Sequence, residues 1–395
     1  MAVEKIREFI KTEKQNIIDF LCEMVEVKSI TCGEGEIISL VKKKMEMLGY
    51  DEVIIDSFGN VIGRIGTGDR ILVYDAHLDV VDAEGQDWLT PPFKAVQKEG
   101  RIYGRGTVDD KGPFVGTLFA GKAVKDLGLA DKYTVYVVGS IAEEDCEGLA
   151  LGAFLEEKDI KPDHVVIAES SAMEICRGHR GRAQITATFR GESVHASRHE
   201  EGINPIELAL PFLEGLKALD RNFPDISPLG KADITAVDVR CQSNSLSSVP
   251  AEARVFMDRR TNTQDTRESI IRELKTLPNV DKCELNYMVW ESEGYNGRLL
   301  KGEEFFPAWA LDESHPLIQA GVQAFKSYSG RDPVVTTWGF STNGNYTMGK
   351  MGYPTIGFGP GDMSLCHVAD ECIEIDHLLE AVGFYAQLAY TLNQE

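Results

Sequence analysis

Apolar and polar positions along this chain change period several times. Ile6, Ile10, Ile17, Ile18, Leu21, Met24 and Val25 recur at helical spacing and predict a helix over 3–27. A second helix is expected over 35–48, stopped by Gly49, a residue suited to the left-handed turn that ends helices. Strands follow at 52–56, 60–65 and 70–76, then a long loop marked by Trp88, Pro91, Pro92 and Phe93. A helix is predicted to start near Pro113, where a missing N–H does no harm, and to run to Leu127. Continuous apolar runs at 132–141 and 163–168 read as buried strands.

Near Arg182 the pattern changes. A strand at 183–189, a helix near 204–219, strands near 233–239 and 253–258, a helix at 266–277 and a strand at 281–289 form a block with its own apolar pattern. Afterwards a helix at 311–329, a strand at 353–358 and a closing helix at 376–393 return to the first style. With 395 residues the chain exceeds what one core usually holds. The expectation is an α/β fold, a mixed sheet flanked by helices, with an inserted α+β domain. The larger lobe comprises 1–181 and 292–395, and the insert 182–291.

Composition narrows the function. The net charge of -22 repels phosphate backbones and anionic lipid, so nucleic-acid and membrane partners are not expected. The N-terminus lacks the apolar stretch of a signal peptide, and the eight cysteines form no Cys-x-x-Cys pair. A cytoplasmic, reduced protein with mostly buried thiols is the expectation. Cys366, beside His367, is the one cysteine to weigh as a ligand, although a buried thiol is the preferred reading.

The chemistry gathers where strands end. The run Ile71-Leu72-Val73 leads into His77-Leu78-Asp79. Residues two apart on a strand share a face, so His77 and Asp79 should project together. A carboxylate behind an imidazole fixes the tautomer of a metal-binding histidine. Asp109 and Asp110 precede a predicted helix, where the dipole favours acids, although N-capping alone explains one acid more easily than two. Ala142-Glu143-Glu144-Asp145, with Glu147 beyond, follows one buried strand, and Glu169 follows another. A solvated acidic turn explains any one of these. A single cluster explains them together, because α/β sheets hold ligands beyond the carboxyl ends of their strands. The loop Gly359–His367 brings a second histidine after a later strand.

Two histidines and several carboxylates, without paired thiolates, suit divalent ions, zinc first, with cobalt or manganese as alternatives. One tetrahedral zinc needs fewer carboxylates, so a two-metal site is expected, with a bridging carboxylate and a bridging hydroxide as nucleophile. Because Glu143 and Glu144 are adjacent, one can bind metal while the other acts as general base.

His77-Leu78-Asp79, Gly104-Arg105-Gly106-Thr107-Val108-Asp109-Asp110-Lys111-Gly112, Glu143-Glu144, Glu169-Ser170 and His367 resemble, in order, the motifs of one di-zinc family. It includes aminoacylase, succinyl-diaminopimelate desuccinylase, acetylornithine deacetylase and related dipeptidases. The Asp-Asp-Lys-Gly-Pro form is similar to the dipeptidase branch and to a hydrolase branch associated with selenium metabolism. The resemblance implies that His77 and Glu169 bind one metal, Glu144 and His367 the other, and that Asp109 bridges them. It makes Asp79 the residue that orients His77, and Glu143 the general base and later proton donor. Gly191–Ser197 with Gly202–Ile206 resembles the family's lid or dimerisation domain, which implies a homodimer in which His195 reaches the partner's site and stabilises the oxyanion. Asp258-Arg259-Arg260 is similar to a carboxylate clamp, with Arg260 as the contact. Ser247 and Asn343 stand in segments that depart from the family's usual Asn and Thr-Ser-Asp-Gly-Arg patterns, and both are expected near substrate. His179, His199 and His377 gain no role.

The expected function is hydrolysis of the amide bond of a small N-acyl amino acid or dipeptide-like molecule with a free carboxylate. An exopeptidase or dipeptidase is the alternative, and a non-catalytic metal-dependent binding protein on the same fold is the second.

Overall fold

A computed structural model describes residues 2–243 and 245–394. Its central sheet runs, in spatial order, Glu52–Ile55, Val61–Ile65, Tyr133–Ser140, Arg70–His77, His164–Ile167, Thr355–Gly357, Ile175–His179 and Trp309–Ala310. Val335–Trp338 also pairs with Ile175–His179. The four central strands, from Tyr133–Ser140 to Thr355–Gly357, are parallel, while Glu52–Ile55 and Val61–Ile65 are antiparallel. The mixed α/β sheet flanked by helices is therefore as expected.

Alternation along Arg70–His77 shows how the sheet is buried on both faces. Leu72 and Tyr74 pack into the layer formed by the helices Ala2–Val25, Lys111–Leu127 and Ile375–Asn393. Val73 faces the opposite layer, with Phe154 of the helix Leu149–Glu157 and Trp338. Among the described residues no helix is long and apolar enough to cross a membrane.

At Arg180 the chain passes from the central sheet directly into a second one. Gly181–Arg190 pairs with Glu252–Thr261 and Cys283–Tyr287, and Asp233–Gln242 lies at the edge. Phe189, Phe212, Val255 and Leu274 form a core of its own beneath the helices Pro205–Arg221 and Arg267–Leu274. Its last pairing, Phe305 with Ala183 and Phe306 with Arg182, falls beyond residue 291, where the sequence pattern placed the return. The hairpin formed by Val289–Glu293 and Leu299–Glu303 was not predicted. It leans on the larger lobe, where the Tyr295 hydroxyl donates to the Gly59 carbonyl at 2.8 Å.

Candidate active site

Three parallel strands deliver their acids and one histidine to the same edge of the sheet. His77 ends its strand, Glu143 and Glu144 follow Tyr133–Ser140, and Glu169 follows His164–Ile167. His367 comes from the loop after Thr355–Gly357, and Asp109 from the segment before the helix Lys111–Leu127. Asp110 occupies the N-cap position of that helix without capping it, because its Oδ2 accepts the His77 N–H at 3.1 Å. The Asp109–Asp110 peptide is cis.

Asp109 stands between the two histidines. His77 Nε2 lies 2.9 Å from Asp109 Oδ1, and His367 Nε2 lies 3.0 Å from Asp109 Oδ2. Around His77 Nε2, Glu169 is at 3.5 Å and Glu143 at 3.9 Å. Around His367 Nε2, Glu144 is at 3.0 Å. The contacts to the two histidines thus group His77, Asp109, Glu169 and His367, Asp109, Glu144, while Glu144 also lies within reach of His77 with Asp109, and Asp110 within reach of His77 with Glu169.

Asp79 has a broader task than orienting His77. The carboxylate lies 3.4 Å from His77 Nδ1, but the closer contact to that nitrogen is Asp79's own backbone carbonyl at 3.0 Å. Asp79 Oδ1 accepts the Glu143 N–H at 3.1 Å, and Oδ2 accepts the Glu144 N–H at 3.2 Å and the Thr31 hydroxyl at 2.9 Å. Glu34 takes the neighbouring Ala142 N–H at 3.1 Å. The turn carrying both glutamates is therefore held from below by buried carboxylates. No sequence signal marked Thr31 or Glu34.

Electrostatics show what such crowding requires. Burial, reinforced by neighbouring acids, pushes Glu143 and Glu169 well above the carboxylate range. Burial and Asp109 push Glu144 up to about 7. Burial opposes charge on Asp109 too, but hydrogen bonds from His367 and His77 hold it below its ordinary value. Burial likewise opposes charge on His77, and there the contacts to Asp109 and Asp79 win and raise it well above the ordinary value. Glu144 Oε1 and Asp110 Oδ1 are buried without a hydrogen-bond partner among the described residues. Two imidazoles, one shared carboxylate and surplus buried oxygen donors are a donor set that divalent cations fit.

The cluster opens into a cavity of about 290 Å3. Arg260 and Arg182, direct partners across adjacent strands, also line it. Arg260 Nε donates to Asp258 at 2.9 Å, and its terminal nitrogens make no hydrogen bond among the described residues. Arg182 donates to Glu147 at 2.9 Å, and Glu147 accepts the Ser341 hydroxyl at 2.8 Å. Arg182 and Ser341 were missed from sequence, and Glu147 was marked there only as one acid of the run after the strand Tyr133–Ser140. The register of Arg182 opposite Arg260 appears only once the strands are paired.

The expectation for Asn343 needs correcting. It is 3% exposed, and its amide is consumed by Asp75 at 2.8 Å, Ser140 at 3.0 Å and the Gly148 N–H. Asn343 therefore braces the sheet behind the site, and its neighbour Ser341 reaches the cavity instead. Ser247 is exposed on the inserted domain, where its carbonyl accepts the Ala196 N–H at 2.8 Å. His195 is exposed nearby, with Nδ1 2.8 Å from the Ser197 hydroxyl. Neither lines the cavity of its own chain. Cys366 does, and its thiol pairs with the Ser170 hydroxyl at 3.2 Å. His179 is buried, donating through Nδ1 to the Arg180 carbonyl and accepting the Thr342 N–H.

An α/β sheet whose strand ends gather two histidines around one shared aspartate, with a free carboxylate alongside, defines a hydrolase centre of the metal-dependent class. Comparison with known proteins agrees. The model of peptidase family M20/M25/M40 matches residues 73–391. The uncharacterized protein YgeY of Escherichia coli K12 is 36% identical over 386 residues, 97% of this chain and 96% of that one. A protein of Staphylococcus epidermidis named probable succinyl-diaminopimelate desuccinylase is 24% identical over 394 residues, 94% of this chain and 96% of that one. The M20 metallo-carboxypeptidase Sso-CP2 of Sulfolobus solfataricus superposes with a TM-score of 0.76 at 18% identity, covering 96% of this chain and 99% of that one. Dug1p, a di-peptidase of Saccharomyces cerevisiae, does so at 0.74 and 15%, covering both chains fully. The chain belongs to peptidase family M20/M25/M40 and is a metal-dependent hydrolase acting on amide bonds. The non-catalytic reading is thereby set aside. These likenesses establish the family and not its selenium-linked branch.

Proposed function

We propose that the protein hydrolyses the amide bond of a small N-acyl amino acid or dipeptide-like substrate bearing a free carboxylate. The observation that carries this reading is the free guanidinium end of Arg260, lining the same small cavity as Asp109, Glu143 and Glu144. A forked guanidinium suits a carboxylate bidentately, and the volume lies at the small end for ligand sites. The acyl carbon of such a substrate would then lie against the carboxylate cluster.

In this reading His77, Glu169 and Asp109 hold one divalent ion, and His367, Glu144 and Asp109 the other, with zinc the first candidate. When bound, the ions polarise the amide carbonyl and acidify water. Glu143, buried beside both groups, takes the proton of the attacking water and returns it to the departing nitrogen. Asp79 holds the glutamate turn in place. His195, exposed on the inserted domain, stabilises the oxyanion in the partner of a homodimer formed through that domain, and Ser247 lies beside it near substrate. Mixing His195→Ala with Glu143→Ala subunits should restore activity, and verified heterodimers without it would overturn the shared site.

Glu147 lines the same cavity and supports a second reading, a dipeptide whose free amino group would join Arg182 and the Ser341 hydroxyl at that carboxylate. Assays of the zinc- or cobalt-loaded protein on acetylated amino acids and on free dipeptides separate the two. Arg260→Ala should raise KM for either about 10- to 100-fold, as loss of a charged hydrogen bond does. An unchanged KM for a substrate whose activity needs its carboxylate would overturn the clamp.

A further inference from the structure

We infer that Gln86 is a positioning residue that sets affinity at the His367 metal site alone, acting through the main chain of His367. The inference rests on the two-metal reading above. Among the histidines of the cluster His367 is the exposed one, with 51% of its side chain accessible against 1% for His77. It sits on a loop, and its φ of +63° lies in the left-handed region that side chains other than glycine rarely adopt. Such a backbone persists only where its surroundings over-determine it.

Several contacts hold this loop, and among the described residues the one that reaches the His367 main chain itself comes from Gln86. Its Nε2 donates to the His367 carbonyl at 2.7 Å. Its Oε1 accepts Arg105 Nη2 at 2.6 Å and the Trp88 indole N–H at 3.2 Å. Arg105, 1% exposed, pairs with Glu371 at 2.7 Å, and Glu371 Oε1 accepts the Asp109 N–H at 3.1 Å. The Trp88 ring lies 5.1 Å from the Arg105 guanidinium and covers it. One amide thus ties the loop bearing His367 to a buried ion pair that holds the bridging aspartate. Cutting it removes the side-chain hydrogen bond to the His367 carbonyl, while Arg105 Nη1 still holds the Val368 carbonyl at 3.3 Å, Asp370 still accepts the Leu89 N–H at 2.9 Å, and Asp109 stays with Glu371. His77 and Glu169 leave the ends of central strands and do not depend on the link.

The test is titration of metal-free protein with cobalt(II), followed by calorimetry and by the visible spectrum of the bound ion. Wild type should bind two equivalents per chain. Gln86→Ala should keep one at unchanged affinity and bind the other 10- to 100-fold more weakly, the usual effect of losing an outer partner of a metal ligand. Gln86→Glu keeps the acceptor for Arg105 but cannot donate to the His367 carbonyl, and should show the same split. Two equivalents at wild-type affinity in either variant, or equal weakening of both, would overturn the assignment. Wild type that binds fewer than two equivalents would instead overturn the two-metal reading.

Discussion

The Asp79 carboxylate accepts the backbone N–H of Glu143 at 3.1 Å. A residue that sequence alone assigns to the orientation of His77 therefore also sets the position of the proposed base. The same carboxylate takes the Glu144 N–H, so the proposed base and the proposed ligand share one anchor. Asp79→Asn can offer only one oxygen to those two donors and turns an NH2 towards one of them. It should lower kcat by about 10- to 100-fold, a typical effect beyond the first ligand shell. Steady-state kinetics beside metal content at full loading checks it, and loss of metal without loss of kcat in the loaded fraction would restrict Asp79 to ligand support.

Glu143→Ala should leave two metals bound and reduce kcat by at least 10²- to 10⁴-fold, the share of barrier lowering that general acid–base groups supply. Elemental analysis and single-turnover kinetics of the same sample decide this. Near-normal kcat would reject the assignment.

Binding of divalent ions should release protons. Asp109 and Glu144 hold His367 up to about 10, so in the metal-free protein it is protonated at neutral pH. That pairing stabilises the metal-free fold fully below an unfolded pKa of about 6.5 and is lost as pH rises through about 10. A cation must displace the proton, and affinity should gain about one factor of ten per pH unit for each proton displaced. Calorimetry in two buffers of different ionisation enthalpy reads the number released. A pH-independent affinity between 6 and 8 would contradict it.

His179 gives an acid-side prediction. Burial lowers its pKa to about 4, against about 6.5 unfolded. Between those values the unfolded chain binds a proton that the folded one refuses. Its contribution is therefore intact above pH 6.5 and shrinks as pH falls towards 4, by up to about 1.4 kcal/mol per unit. Denaturant unfolding of the metal-loaded protein from pH 7 to 5 should show a shallower loss for His179→Gln than for wild type.

Much of this was legible because it was local. Apolar runs ending in acids, as at Ser140 before Glu143 and Ile167 before Glu169, announce strands and the side of the sheet where chemistry gathers. What escaped depends on chain segments far apart in sequence. Glu34 reaches Ala142, Gln86 reaches His367, and Arg182 meets Arg260, and no spacing rule marks any of these. Asn343 misled for a related reason. It lies beside cavity-lining Ser341, yet it turns inwards to Asp75, a choice made by tertiary hydrogen bonds.

The central sheet is built from segments on either side of the inserted domain, with Thr355–Gly357 pairing against both His164–Ile167 and Ile175–His179. A nascent chain leaving the ribosome therefore carries one imidazole and every acid of the cluster long before His367 has been translated. The second imidazole thus joins the cluster only once the final stretch of the chain, with Thr355–Gly357, has docked.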